Sequence, residues 1–284
     1  SPLLPNQDTT LTLILENKDN TKTADNVIVD LYNAPSFKNS LGGGSCNTVG
    51  CLPNECSKND PCRTVGSHPS ILPGEQRQIT FKLKSPSESD IAIIKTETSL
   101  DYKAEYDFQS ALVYTVPVIN LDEIIKRQRA NEKTTLEFSK SHSSGPLKID
   151  VEMIGAPYIL SGQNAVISFK INNIGGGTVK NSKIEGWVTG PNPSAVDKGL
   201  VIIFPNEFSV VEKPENFECV ANRCYNTRPI DIFKDQTMTS MRFTISPPSL
   251  LDVPLKSYTI TAFVGYVYEM RDSIKVTVNP FQNV

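Results

Sequence analysis

The feature that most constrains this chain is a strand-turn-strand signature that it carries twice. Residues 165–188 read AVISFKINNIGGGTVKNSKIEGWV. Ile167, Phe169 and Ile171 alternate with Val166, Ser168, Lys170 and Asn172, three glycines follow, and then Ile184, Gly186 and Val188 alternate with Glu185 and Trp187. Period-two alternation marks a strand with one face on a core, and glycine reaches the positive φ of a turn at little cost. Residues 10–33, TLTLILENKDNTKTADNVIVDLYN, state the same plan about 155 residues earlier. There Leu11, Leu13 and Leu15 precede an Asn/Asp turn, and Val27, Val29 and Leu31 follow it. One β unit written twice predicts two domains, and 284 residues allow each its own core.

The other segments agree. Over 102–116, Tyr102, Ala104, Tyr106, Phe108, Leu112, Tyr114 and Val116 share one face, with Lys103, Glu105, Asp107 and Gln109 on the other. An antiparallel sheet with one wet face has this pattern. Residues 258–268 are its counterpart, and shorter strands are expected at 76–83, 91–98, 147–154, 200–211 (one or two), 241–245 and 274–278. Between the halves Asn120 caps a short helix from Leu121 to about Asn131, with Asp122 and Glu123 in its first turn. Its Lys126, Arg127 and Arg129 read as solvated charge on a connector. The expected fold is all-β: two tandem immunoglobulin-like antiparallel β-sandwich domains with a short linker helix and disulfide-stapled loops. Domain limits are placed at 1–117 and 147–284, with 118–146 as linker.

Cys46, Cys51, Cys56 and Cys62 fall in the first half, and Cys219 and Cys224 in the second. Each half holds an even number, set in polar insertions rich in Pro and Asn, which favours disulfides and an oxidising compartment. The four allow three pairings, among which sequence does not choose; Cys219 and Cys224 have only each other within their half. A zinc site with His68 is the rival reading, but zinc pairs are usually spaced C-x2-C and these are not.

A net charge of −3 argues against nucleic acid, which needs a concentrated basic surface. No run approaches the roughly 20 apolar residues of a membrane helix, so membrane contact is expected only through segments outside this sequence. His68 and His142 are the only histidines, placed in loops of different halves, and no nucleophile elbow, zincin or phosphate-loop motif occurs. No catalytic residue, cofactor or metal site is assigned. Asp101, Glu105 and Asp107 read as a wet strand face rather than a calcium site. Trp187, the only tryptophan, is the candidate for ligand contact, with exposed tyrosines to extend a stacking platform, although a lone Trp in such a strand is more often a core or rim residue.

The two strand-turn-strand stretches, together with ILPGEQRQITF at 71–81, resemble the CARDB-like, or S-layer-associated, immunoglobulin-like domains of archaeal and bacterial surface proteins. In the second half Asp235-Gln236 stands where that pattern has Pro-Gly-Glu. The resemblance implies an extracellular, non-catalytic module of a cell envelope or appendage, built for adhesion, spacing or filament assembly. Its partners would be other surface proteins or copies of itself. The alternative is a glycan- or peptide-binding module attached to a larger secreted or anchored protein.

Overall fold

The computed structural model describes residues 2–34, 37–39, 64–91, 95–132, 136, 138–155, 158–187, 197–232 and 240–280. Cys46, Cys51, Cys56, Cys62, Val188 and Asp235-Gln236 lie outside the described residues. Strands β1 (Asp8–Glu16), β2 (Ala24–Asn33), β3 (Lys38–Asn39), β4 (Thr64–Ile71), β5 (Gln76–Lys84) and β6 (Thr96–Ile119) precede the helix α1 (Leu121–Arg129). After it come β7 (Ser139–His142), β8 (Leu147–Ile154), β9 (Ile159–Leu160), β10 (Ala165–Asn173), β11 (Thr178–Val179), β12 (Lys183–Ile184) and β13 (Gly199–Ile203). The chain ends through β14 (Ser209–Glu212), β15 (Phe217–Val220), β16 (Arg223–Asn226), β17 (Ile230–Asp231), β18 (Met241–Ser246) and β19 (Leu255–Val278). The protein is predominantly β, with sheets almost entirely antiparallel.

Two compact units result: residues 1–107 joined by 269–284, and residues 108–268. The divisions fall inside β6 and β19, whereas the sequence reading set its limits at Pro117 and Leu147. Both strands run 24 residues, and each gives part of its length to each unit.

In the first unit β1 pairs with β5 from Asp8 opposite Lys84 to Glu16 opposite Gln76, and β3 lies on the far side of β5. The second layer places β2 between β4 and β6. Leu13 of β1 and Ile79, Phe81 and Leu83 of β5 share one buried cluster with Val29 and Leu31 of β2, Leu100 of β6 and Val278 of β19. Each such side chain taken fully out of water contributes about 1.5–3 kcal/mol. Asn17 ties the entry turn down, its amide donating to Lys22 O and Ile71 O while its own carbonyl accepts from Gly74 N–H. The Pro73-Gly74-Glu75 turn is as expected, with Gly74 at φ 70° and Glu75 accepting from Leu72 N–H.

In the second unit the strand order of one sheet is β14-β18-β10-β8, with Ile167 opposite Phe243 on one side and Met153 on the other. Its other layer includes β15, β16, β13, β19 and β6 in that order. Phe169, Phe204, Phe217 and Phe243 meet between the layers with ring centroids 5.2–6.4 Å apart, mostly edge to face, the arrangement that aromatic quadrupoles favour. The helix forms as read: Asn120 Oδ1 accepts from Asp122 N–H at 3.2 Å, and Ile124 is buried.

Further readings are corrected. The face of Lys103, Glu105, Asp107 and Gln109, expected to be wet, is largely covered, with Glu105 and Asp107 buried. The expected strand through 184–188 ends at Ile184, because Gly186 lies close against the backbone of Thr227 and Trp187 N–H bonds Asn226 O instead of extending a ladder. The strands expected at 258–268 and 274–278 are one, since Arg271, Asp272 and Ser273 are exposed strand residues and not a turn. His68 and His142 lie in β4 and β7 rather than in loops.

Candidate interaction surfaces

Alternation in β1 sends Leu11, Leu13 and Leu15 toward the core of the first unit and Thr10, Thr12 and Ile14 outward. Leu13 is buried, but Leu11 is only half covered. Beside it the core opens as a groove of about 650 Å³ lined by Leu11, Phe37, Leu83, Leu100, Ile274 and Val276. The leader before β1 lies along this opening. Leu3 N–H donates to Thr277 O and Leu3 O accepts from Asn279 N–H, both at 2.9 Å, making a parallel bridge to Val278. Ser85 Oγ, accepting from Gln7 N–H and donating to Leu4 O, holds the leader's turn. The leader is therefore docked within its own chain. Its Pro, Asn and Asp content hid this, because two backbone bonds leave no apolar period.

On the other face of β2, β6 and β19 in this unit, Lys103 Nζ is hydrogen-bonded to Glu105 and lies 3.6 Å from Glu269 and 4.0 Å from Asp30. Asp30, Glu105 and Glu269 are all buried, and Arg271 pairs with Glu269. Burial alone would pull the Lys103 ammonium down, but the hydrogen bond and charge of Glu105, with Glu269 and Asp30, hold it above its ordinary range. The cluster is a compensated ion network. The residues weighed for calcium are spent elsewhere: Asp101 accepts from Asn33 and Ser99, Glu105 from Lys103, and Asp107 from Asn26. Asp25 stands opposite Asp107, and burial together with that neighbouring carboxylate raises its pKa.

In the second unit Asn226 organises the surroundings of Trp187. Its Oδ1 accepts from Leu200 N–H at 2.7 Å, its amide donates to Glu185 O and Arg228 O, and its backbone carbonyl accepts from Trp187 N–H. The guanidinium of Arg223 stands 5.6 Å above the indole, a cation–π contact. Trp187 is half-buried, so it is a rim residue with one ring face taken by Arg223. Cys219 and Cys224 face each other across the β15–β16 hairpin with Cα atoms 4.0 Å apart, a disulfide-compatible pair. They lie in strands and not in an irregular insertion. Asn226 and Arg223 are not apparent from sequence because neither sits in a motif, and nearness to Cys224 does not set Asn226 apart from Asn222, which is as near.

The histidines are apart from one another in chain and role. His68 pairs with Val27, and burial, more than neighbouring Lys148, lowers the pKa of His142. Among the described residues no group of three or more His, Cys, Asp or Glu side chains is placed to hold a metal ion, and no helix is long and apolar enough to cross a membrane. No known family's sequence profile matches the chain, and no curated protein is similar to it in sequence.

Proposed function

We propose that the chain is an extracellular structural or adhesive protein of a cell envelope or appendage, made of two immunoglobulin-like sandwiches. The observation that carries this reading is strand order. In an immunoglobulin fold one sheet runs A-B-E-D, and β8, β10, β18 and β14 of the second unit are neighbours in that sequence. In the first unit β1, β5 and β3 take the places of B, E and D, while β2, β6 and β19 take those of C, F and G, with β4 outside C. Such sandwiches are scaffolds whose function resides in what is grafted on them, and here the grafts are the cysteine-bearing segments. The facing Cys219 and Cys224 and the four further cysteines of one polar insertion fit an oxidising exterior. A glycan-stacking role for Trp187 would have to displace Arg223 from the ring, which makes it the weaker reading.

The test is location. Immunogold labelling of intact cells of the source organism, with protease shaving and alkylation of free thiols, is expected to find the protein outside the cell with Cys219 and Cys224 protected from alkylation. A protein confined to the cytoplasm with reactive thiols would overturn the reading.

A further inference from the structure

We propose that the outer edge of β1 is a self-association surface on which a second copy of the chain pairs its own β1 antiparallel. Among the described residues β1 is hydrogen-bonded on one side only, to β5. Nine residues in strand leave about 30 Å of open ladder, a template for another strand unless something blunts it.

The other described edges are short, interrupted or charged, and the outer edge of β19 between its pairing with β13 and the bridge to Leu3 carries Arg271, Asp272 and Lys275. Strands β3, β14 and β15 have two, four and four residues, and the pairing of β14 carries a register shift. Pro69, which cannot donate to a ladder, interrupts β4. Strand β8 alternates Lys148, Asp150 and Glu152 through its length. By contrast β1 has no proline, and its charges are confined to its ends at Asp8 and Glu16, leaving TTLTLIL between them. Leucine, isoleucine and threonine at these positions favour strand pairing.

Two further observations select a second copy as the occupant. A nine-residue antiparallel self-pairing centred on Thr12 puts Thr12 opposite Thr12, Thr10 opposite Ile14 and Leu11 opposite Leu13, so no charged or proline-bearing pair falls between its two ends. The groove lined by Leu11, Leu83, Ile274 and Val276 adjoins the same edge. Two copies related by a two-fold axis bring their grooves together, burying Leu11 and the exposed Ile14. The interface is isologous and closes at a dimer. Asp8 then opposes Glu16 at each end, an exposed repulsion that salt screens, so association should strengthen as ionic strength rises.

This surface serves the self-partner reading proposed above and rests on it, but its test does not depend on cellular location. Sedimentation equilibrium of the whole chain over a wide concentration range should show a monomer–dimer equilibrium tightened by salt. Thr12→Lys places two ammonium groups opposite each other on a solvent-facing position and should weaken dimerisation by about tenfold or more. Thr12→Val should leave it intact, and an equimolar mixture of Thr12→Lys and Thr12→Glu chains should recover it. Circular dichroism of each variant confirms the fold. A chain that stays monomeric at all concentrations, or a dimer indifferent to Thr12→Lys, overturns the proposal.

Discussion

Asn226 has no exposed surface, and its side chain makes three hydrogen bonds, all to backbone. Replacing it with Leu keeps the approximate volume but strands Leu200 N–H and the carbonyls of Glu185 and Arg228. Buried polar groups left unsatisfied cost about 1–3 kcal/mol each before relaxation, so Asn226→Leu should lose about 2–4 kcal/mol in denaturant unfolding. Because Trp187 N–H hangs on the same residue, its fluorescence should shift with the mutation even in the folded state. Nothing in the sequence distinguishes Asn226 from the turn asparagines around it. Its role comes from which segments the fold brings together, and that information is non-local. Asp25 makes a different case, since its pKa is raised by burial and by Asp107. The folded state therefore holds its proton more tightly than the unfolded one, and stability is lost as pH rises from the ordinary value of 3.8 through the raised one. Asp25→Asn cannot ionise, so its melting temperature relative to the parent should climb from pH 3 to pH 6 and then level. The gain at neutral pH should be a few tenths of a kcal/mol, because Asp25 remains largely solvated. A difference that stays flat with pH would show that neither burial nor Asp107 raises the pKa of Asp25.

At the scale of elements, the hairpin of β15 and β16 turns through Ala221 and Asn222, with Ala221 at φ 53°. An L-residue other than Gly, Asn or Asp in that region costs about 1 kcal/mol, and two-residue hairpins ordinarily place glycine where φ is positive. Ala221→Gly should thus raise stability by about 0.5–1 kcal/mol in thermal unfolding, with no change in the protection of Cys219 and Cys224 from alkylation. The sequence reading found this segment through its cysteines and missed its strands, because Phe217 to Asn226 alternates for only four residues on either side of the turn. Where alternation lasted eight or more residues, as in β5, β8 and β10, the strands emerged almost residue for residue. Where a strand crosses a polar stretch, as β19 does at Arg271 to Ser273, hydropathy reads a break that the backbone does not make.

At the scale of the molecule, the first arm of the repeat was legible, whereas its second arm and the partition were not: Val29 lies in the ten-residue β2, but its match Glu185 falls after β12, which ends at Ile184. Leu13 and Ile167, matched across the repeat, occupy the same place: each is buried and opposes a buried residue of its partner strand, Ile79 and Phe243. The 118–146 segment looks like a linker because it holds the proline boundary, the helix and the polar loop. Yet the compact units are 1–107 with 269–284, and 108–268. The reason is that a strand ordering reports who is next in the chain, whereas the neighbours of β6 and β19 include strands far away in sequence. Fragment 147–284 therefore lacks residues 108–119, which carry the buried Phe108, Leu112, Tyr114, Val116, Val118 and Ile119 of the second unit. Fragment 108–268 retains them. Removing six side chains of this size at about 1.5–3 kcal/mol each costs as much as the whole stability of an ordinary domain. Fragment 108–268 should give a dispersed amide spectrum and a cooperative melt on its own, and fragment 147–284 should give neither. Equal folding of the two, or folding of 147–284 alone, would place the working boundary at the linker, where the sequence put it.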